Sequence, residues 1–490
     1  MTFRAIPIAA ALLLACAPAQ AQLAVEGVLE DYQFADEASL DDRLEATRIE
    51  YGIVGGAVAA ARDDRVLYAR GLGWADREAG TRATADTVFA MASVTKTLTA
   101  TAIMMLVEDG AIDLDTPVNR YLGNDAIRAT YGREDEITVA RVMSHTAGLP
   151  FFYQPLYADE ATVRPTFADL MRDYGYTVLP PGQSSEYSNL GYEILAELIR
   201  RRSGMSYERF MQERIFRPLD MDSAFIATGR ERPEGTAQRY TSDGSIVPGV
   251  DTSHPGAANA FMSVADMIRF GRFWLGAYRG DSPLLGRALA RRMITNDAGE
   301  EGKGPGLGLW PETYPDETLY VSHGGGMAGA KTRLAILPER NLVIAVAINE
   351  GNATAEAVLG EELIRSFENA SNLYFRLPKV PEALIGRWRG EIGGNGPVAP
   401  IAFDLSDPAD PRATIDGRPI LVRSITDDAP FGIRLDTELE GRGLGVPHDL
   451  RLKLFPEGSG LIGEVKLQAR PAEGRDNPGF GYWIRMQRVD

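Results

Sequence analysis

A single cysteine in 490 residues, Cys16, leaves the chain almost without thiol chemistry. It lies in an apolar stretch near the N-terminus, so the remainder has no disulfide, no cysteine nucleophile and no thiolate metal site. Histidine is nearly as scarce. The four are His145, His254, His323 and His448, and no His/Asp/Glu cluster has ligand spacing, so neither a metal nor another cofactor is expected. Basic charge is in deficit too: 51 Lys and Arg stand against 68 Asp and Glu, a formal charge of -17. No Lys/Arg cluster forms a stripe, which argues against a nucleic-acid partner. Beyond the first 21 residues no apolar run reaches the length of a membrane span. What is present is ordinary for a globular protein, 44% hydrophobic and 24% charged. The length suffices for two or three domains and a large core.

Residues 1–21 read as an export leader. Arg4 supplies the positive start, Ile6 to Ala17 an apolar stretch broken only by Pro7, and Ala19, Gln20 and Ala21 a small-x-small cleavage site. Cleavage would remove Arg4 and take the formal charge to -17 - 1 = -18. The expectation is an exported, periplasmic protein. The alternative is a lipoprotein anchored through Cys16, because Leu13, Leu14, Ala15 and Cys16 resemble a lipobox.

Chemistry enters at Ser93, Val94, Thr95 and Lys96, which run into the apolar stretch Leu98 to Val107 and stop at Gly110. The pattern predicts a buried helix with Ser93 at its start and Lys96 one turn on, on the same face. A serine hydroxyl needs a base to become a nucleophile. A lysine three residues on can reach it, and burial lowers the ammonium pKa toward the neutral form a base requires.

Around this stretch the chain alternates strands and helices. Gly52 to Ala61 and Val66 to Arg70 read as a hairpin turned at Asp63 and Asp64, with Gly71 to Asp76 leaving the sheet. Strand patterns return at Gly306 to Trp310, Thr318 to Ser322, Thr332 to Leu337 and Leu342 to Ile348, and Thr354 to Phe367 reads as a closing helix. Between them lies a helical insertion, about residues 97–300. His145, at a helix end before Gly148 and Pro150, reads as a capping or packing residue. His254, in the Pro/Gly-rich stretch 229–256, reads as a loop residue. The fold class expected is α/β, an antiparallel sheet flanked by helices, over residues 22–367.

Residues 368–382, with Pro378 and Pro381, read as a linker. Residues 383–490 have a different texture: eight short apolar segments alternating with turn residues, the pattern of a small antiparallel β-barrel. His448 sits in a Pro447–Asp449 turn there and is given no role.

Three motifs stand in order: Ser93 with Lys96, Tyr187 with Asn189, and His323 followed by Gly324, Gly325 and Gly326. Flanking segments share the pattern: Phe89, Ser144 to Pro150, Pro181 and Gly182, Pro218 to Met221, and Leu337 to Glu339. On these motifs residues 45–367 resemble the serine penicillin-recognising family of class C beta-lactamases, penicillin-binding D-alanyl-D-alanine carboxypeptidases, D-aminopeptidases and related esterases. The resemblance implies a beta-lactamase/transpeptidase-like fold and a serine hydrolase working through an acyl-enzyme. It makes Ser93 the nucleophile. Lys96 and Tyr187 become the proton-handling pair, either of which can be the base. Asn189, His323 and Gly325 become substrate-binding, and the backbone N–H groups of Ser93 and Gly326 the oxyanion hole. The partner implied is a small-molecule or peptide substrate.

Two residues depart from the family pattern. Asn259 and Ala260 stand where many members carry a Gly-Gly pair, which bears on pocket shape. His323 stands where class C beta-lactamases carry lysine, and a mostly neutral imidazole is a weaker partner for a lactam carboxylate. With the barrel that follows, the His-x-Gly form resembles D-aminopeptidases, whose C-terminal domains are lipocalin-like. The function implied is a peptidase of the D-aminopeptidase or D-alanyl carboxypeptidase type. The alternatives are a beta-lactamase or esterase of the same family, or a penicillin-binding sensor that acylates without turnover.

Overall fold

The computed structural model describes residues 39–368 apart from 242, 296–304, 314–317 and 352. It also describes 384–489 apart from 385 and the connections at 394–398, 407–411, 416–417, 427–430, 438–447, 458–459 and 470–478. The expected leader with Cys16 and residues 369–382 of the expected linker lie outside the described residues.

Small and β-branched residues build the central sheet. The strand Gly55–Arg62 is buried almost throughout, and its side chains alternate between two cores. Ala57, Ala59 and Ala61 face the larger core with the Thr95–Glu108, Asn189–Ser203 and Val264–Arg279 helices, while Val58 and Ala60 face the core under the Leu40–Glu50 and Ala353–Phe367 helices. Seven antiparallel strands lie in the order Trp310–Thr313, Leu319–Met327, Ala330–Leu337, Leu342–Ile348, Gly55–Arg62, Arg65–Asp76 and Thr81–Arg82. The pairing of Val58 with Val346 joins strands nearly 300 residues apart and closes the α/β layer around the insertion.

Several strand boundaries differ from expectation: the pattern at Thr318 to Ser322 continues to Met327, and two others shift at glycine. Residues 71–76 stay in the sheet, and the strand runs to Asp76. A Cβ at Gly71 would lie 1.9 Å from the Ala83 carbonyl oxygen, so this glycine serves close backbone approach rather than an exit. Gly306 to Leu309 form no strand: Gly308 has φ +92°, and pairing begins only at Trp310.

The C-terminal region is a small antiparallel sheet domain. All eight expected segments fall within its strands, from Arg387–Gly393 to Gly479–Arg488. Each pairs with the next, and the first pairs with the last through Ile392 and Ile484. Its core holds Trp388, Phe403, Leu452, Leu454, Val465 and Ile484. His448 opens the strand His448–Glu457 instead of sitting in a turn, because its backbone pairs with Thr437 and Ala469. A further short strand, Phe152–Tyr153, joins this sheet from the other domain.

Candidate active site

Ser93 sits on a 3₁₀ turn, Ala92–Val94, that feeds the helix Thr95–Glu108. The turn is strained: Ala92 has φ +45°, which a residue with a Cβ adopts only when its surroundings enforce it. Those surroundings are polar and specific. Met91 N donates to Ala260 O at 2.8 Å, Thr332 Oγ1 donates to Met91 O at 2.9 Å, and Ala260 N donates to Thr95 Oγ1 at 3.0 Å. Gly325 lets its strand lie against this turn. A Cβ there would stand 2.1 Å from Thr332 Oγ1 and 2.3 Å from Met91 O. Gly326 follows on the same strand, Leu319–Met327.

Lys96 is fully buried, one turn after Ser93. Its Nζ lies 3.2 Å from Ser93 Oγ, 2.7 Å from Asn189 Oδ1 and 3.0 Å from Ala257 O. Burial holds its pKa well below the ordinary lysine value. A neutral amine has two N–H donors and one lone pair. The two amide oxygens can only accept, so they take both donors, and the lone pair is left for the serine hydroxyl. The Asn189 orientation behind this is fixed in turn. Its Nδ2 donates to Phe152 O at 2.7 Å, and only the NH₂ group can face a carbonyl, so Oδ1 faces Lys96.

Tyr187 completes the cluster. Its hydroxyl is hydrogen-bonded to Ser93, and burial raises its pKa above the ordinary tyrosine value, with the Ser93 bond opposing. The Lys96 ammonium position stands 4.7 Å from the centre of the Tyr187 ring, over its face. Burial thus shifts the pair toward an amine and a phenol, with the amine the readier proton acceptor.

His145 packs, as expected, but what it packs on is Tyr187. The ring centroids are 4.5 Å apart, and His145 Nδ1 accepts from Ser188 N at 3.1 Å. It thereby holds both residues that flank the turn into Asn189. Composition alone undervalued it; the signal was its place in the Ser144–Pro150 motif. His254 lies in a loop, as expected, between two short elements. The stretch contains the strand Val250–Thr252 and the helical turn Pro255–Ala258, and His254 is fully buried against the Phe152 and Tyr153 rings, 5.5 Å from each. Phe152 and Ala257, which aim Asn189 and Lys96 through backbone oxygens, had no signal in side-chain chemistry. Asn259 fills the place of the missing glycine with a buried amide that bonds Thr252 Oγ1, Asp251 Oδ1 and Ala227 O.

His323 lies on the strand Leu319–Met327, just past its pairing with Trp310–Thr313, which ends at Ser322, and is 4% exposed. Its Nδ1 is 2.7 Å from Gly324 O, an atom that only accepts, so Nδ1 carries the proton and Nε2 is a bare acceptor. Among the described residues Nε2 has no partner. Burial first and the Lys96 charge second lower the imidazole pKa to about 3, so the ring is neutral under working conditions. No group of three His, Cys, Asp or Glu that could hold a metal occurs among the described residues. No helix among them is long and apolar enough to cross a membrane.

Comparison with known proteins places this geometry. The family model described as Beta-lactamase matches residues 40–368. Esterase EstB of Burkholderia gladioli is 31% identical over 318 residues, 56% of this chain and 79% of that protein. D-alanyl-D-alanine-carboxypeptidase/endopeptidase AmpH of Escherichia coli (strain K12) is 27% identical over 289 residues, 55% of this chain and 72% of that protein. The octameric penicillin-binding protein homologue from Pyrococcus abyssi shares the fold, with a TM-score of 0.58 at 21% identity over 91% of this chain and all of that one. The family model covers about two thirds of the sequence, and the chain belongs to the Beta-lactamase family, as one of its serine hydrolases.

Proposed function

We propose that the protein hydrolyses neutral or amine-bearing peptide, amide or ester substrates, as a D-aminopeptidase-like peptidase rather than a beta-lactamase. Lys96 takes the proton from Ser93 Oγ as the hydroxyl attacks the substrate carbonyl. The backbone N–H groups of Ser93 and Gly326 receive the oxyanion. Tyr187, a phenol in the resting site, passes its proton to the leaving group and takes back the one Lys96 accepted; water then attacks the acyl carbonyl, gives a proton to the same pair, and Ser93 Oγ leaves with a proton returned from it. Asn189 aims the base, and His323 and Gly325 line the substrate strand.

One observation carries the choice of substrate. His323 places a buried, neutral imidazole, with Nδ1 on Gly324 O and Nε2 a bare acceptor, where a lactam or C-terminal carboxylate would need a donor or a cation, and a neutral or amine-bearing substrate makes no such demand. Export to the periplasm, from the leader-like first 21 residues, fits such a substrate, and the closed pairing of the C-terminal strands is consistent with a lipocalin-like barrel.

The test is a panel of D-amino-acid amides, D-alanyl peptides, short-chain esters and nitrocefin. Esters and amides should give the highest kcat/KM. His323→Lys should move the ratio toward nitrocefin about tenfold, which needs only ~1.4 kcal/mol of transition-state preference. Wild-type preference for nitrocefin, or a single stoichiometric burst without turnover, would overturn the reading.

A further inference from the structure

The segment Pro150 to Tyr153 is held from both sides. From the hydrolase domain, Ser188 Oγ donates to Pro150 O and Asn189 Nδ2 donates to Phe152 O, both at 2.7 Å. From the C-terminal domain, Glu464 Oε1 accepts from Phe151 N at 2.5 Å, and the backbones of Phe152 and Tyr153 pair with Phe480 and Gly479. Three consecutive residues thus lie between the two domains.

Glu464 is out of place in its surroundings. It is 0% exposed, on the strand Gly460–Ala469. The neighbouring residue Ile462 belongs to an apolar cluster with Tyr131, Tyr176, Val178 and Leu179, against which Trp483 packs. A carboxyl in such a setting is costly unless its hydrogen bonds are made. The bond it makes here is to the backbone next to Phe152, whose carbonyl decides which way the Asn189 amide faces.

We propose that Glu464 is a positioning residue of the hydrolytic site, acting through Phe151 and Phe152 on Asn189 and so on Lys96. The C-terminal domain then helps to aim the base, although among the described contacts it touches neither Ser93 nor Lys96. Loss of the Glu464 bond frees the Phe151 backbone to shift, the Phe152 carbonyl moves with it, and Asn189 loses its reason to present Oδ1 to the lysine. The argument rests on the proposed role of Lys96 as base.

The experiment uses the full chain and a neutral ester substrate, with active sites counted by fluorophosphonate titration. Glu464→Ala should lower kcat about tenfold with KM nearly unchanged, a loss in keeping with a small misplacement of a catalytic group. Glu464→Gln, which keeps an acceptor oxygen, should restore most of it. The acidic limb of the kcat profile should move in the Ala variant, because the environment of Lys96 has changed. In an Asn189→Ala background the Glu464→Ala change should cost less than about twofold, since the two act on one path. Should Glu464→Ala fail to fold, Glu464→Met carries the same measurements with the volume kept. Equal losses in both backgrounds, an unmoved limb, or wild-type kcat in Glu464→Ala or Glu464→Met would overturn the proposal. Failure of the Lys96 reading is seen separately: Lys96→Ala would then retain turnover whatever Glu464 does.

Discussion

Ser93 is clamped from beneath by the sheet and by the strand through Ala260: Met91 bonds to Ala260 and Thr332, Ala260 bonds to Thr95, and Gly325 closes against the turn. Lys96 is aimed differently. Its orientation passes to Asn189 on another helix, then to the Phe152 carbonyl, and that segment meets a second domain. The nucleophile is thus fixed within one packed layer, and the base through a relay of backbone and amide groups. The difference teaches that a strained turn needs rigid local support. A proton acceptor, by contrast, needs its lone pair aimed, which hydrogen-bond partners do better than packing.

The sharpest break of this comparison is Ser93→Ala. Turnover and covalent labelling by a fluorophosphonate or β-lactam probe should both vanish, since no other residue in the cluster is a comparable nucleophile. Thermal stability should change little, because the clamp works through Met91, Thr95 and Ala260 rather than the serine hydroxyl. Labelling of intact protein by mass spectrometry reads the outcome, and unchanged labelling would remove Ser93 from the nucleophile role.

Asn189→Ala attacks the other half. Lys96 keeps its helix and its Ala257 contact but loses the 2.7 Å acceptor. The amine can then turn its lone pair from Ser93, and acylation should slow on the order of a hundredfold, with slow labelling still detectable. The pH dependence separates the halves further. Lys96 must be neutral to act, so activity should fall as pH drops through its lowered pKa and hold a plateau above it. His323, its pKa lowered to about 3, contributes no ionisation near neutral pH. A second, imidazole-like limb between pH 6 and 7 in wild type that disappears in His323→Gln would count against this assignment.

The same contrast explains what could be read from the residues alone. Ser93 and Lys96 are three apart on one helix, so their meeting is a local consequence of helical geometry. The eight strands of the C-terminal domain were legible for a similar reason, since alternation is local. Asn189 reaches Lys96 across 93 residues and Glu464 reaches Phe151 across 313, and no periodicity reports such contacts. The family motif supplied Asn189; nothing supplied Phe152 and Ala257, which act through their backbone oxygens, or Glu464, whose carboxylate meets a backbone N–H. The loop around His254 was legible from its polar, Pro/Gly-rich composition, but its burial against Phe152 and Tyr153 was not, because those rings come from a distant segment.

The smallest expected effect sharpens the comparison on the base side. Glu193 lies one turn beyond Asn189 on the same helix, and its Oε2 accepts from Gly256 N at 3.2 Å, just before the Ala257 carbonyl that binds Lys96. Burial raises its pKa to about 8; the Gly256 bond and Arg164 oppose the rise, and Glu197 and Glu208 add to it. At pH 7 the folded protein therefore binds a proton there that the unfolded chain, with an ordinary glutamate, does not. The sign follows: a carboxyl raised on folding favours the folded state most below the unfolded pKa. That stability is lost as pH rises from about 4.5 to about 8, and the curve is flat beyond. Glu193→Gln should remove this slope, raising stability relative to wild type at pH 8.5 and matching it at pH 5 in urea unfolding. Because Glu193 is already uncharged at pH 7, the rate of Ser93 labelling there should be the same in the variant. A slower rate would mean that the Gly256 contact aims Lys96 as strongly as Asn189 does, and the relay would then have two arms instead of one.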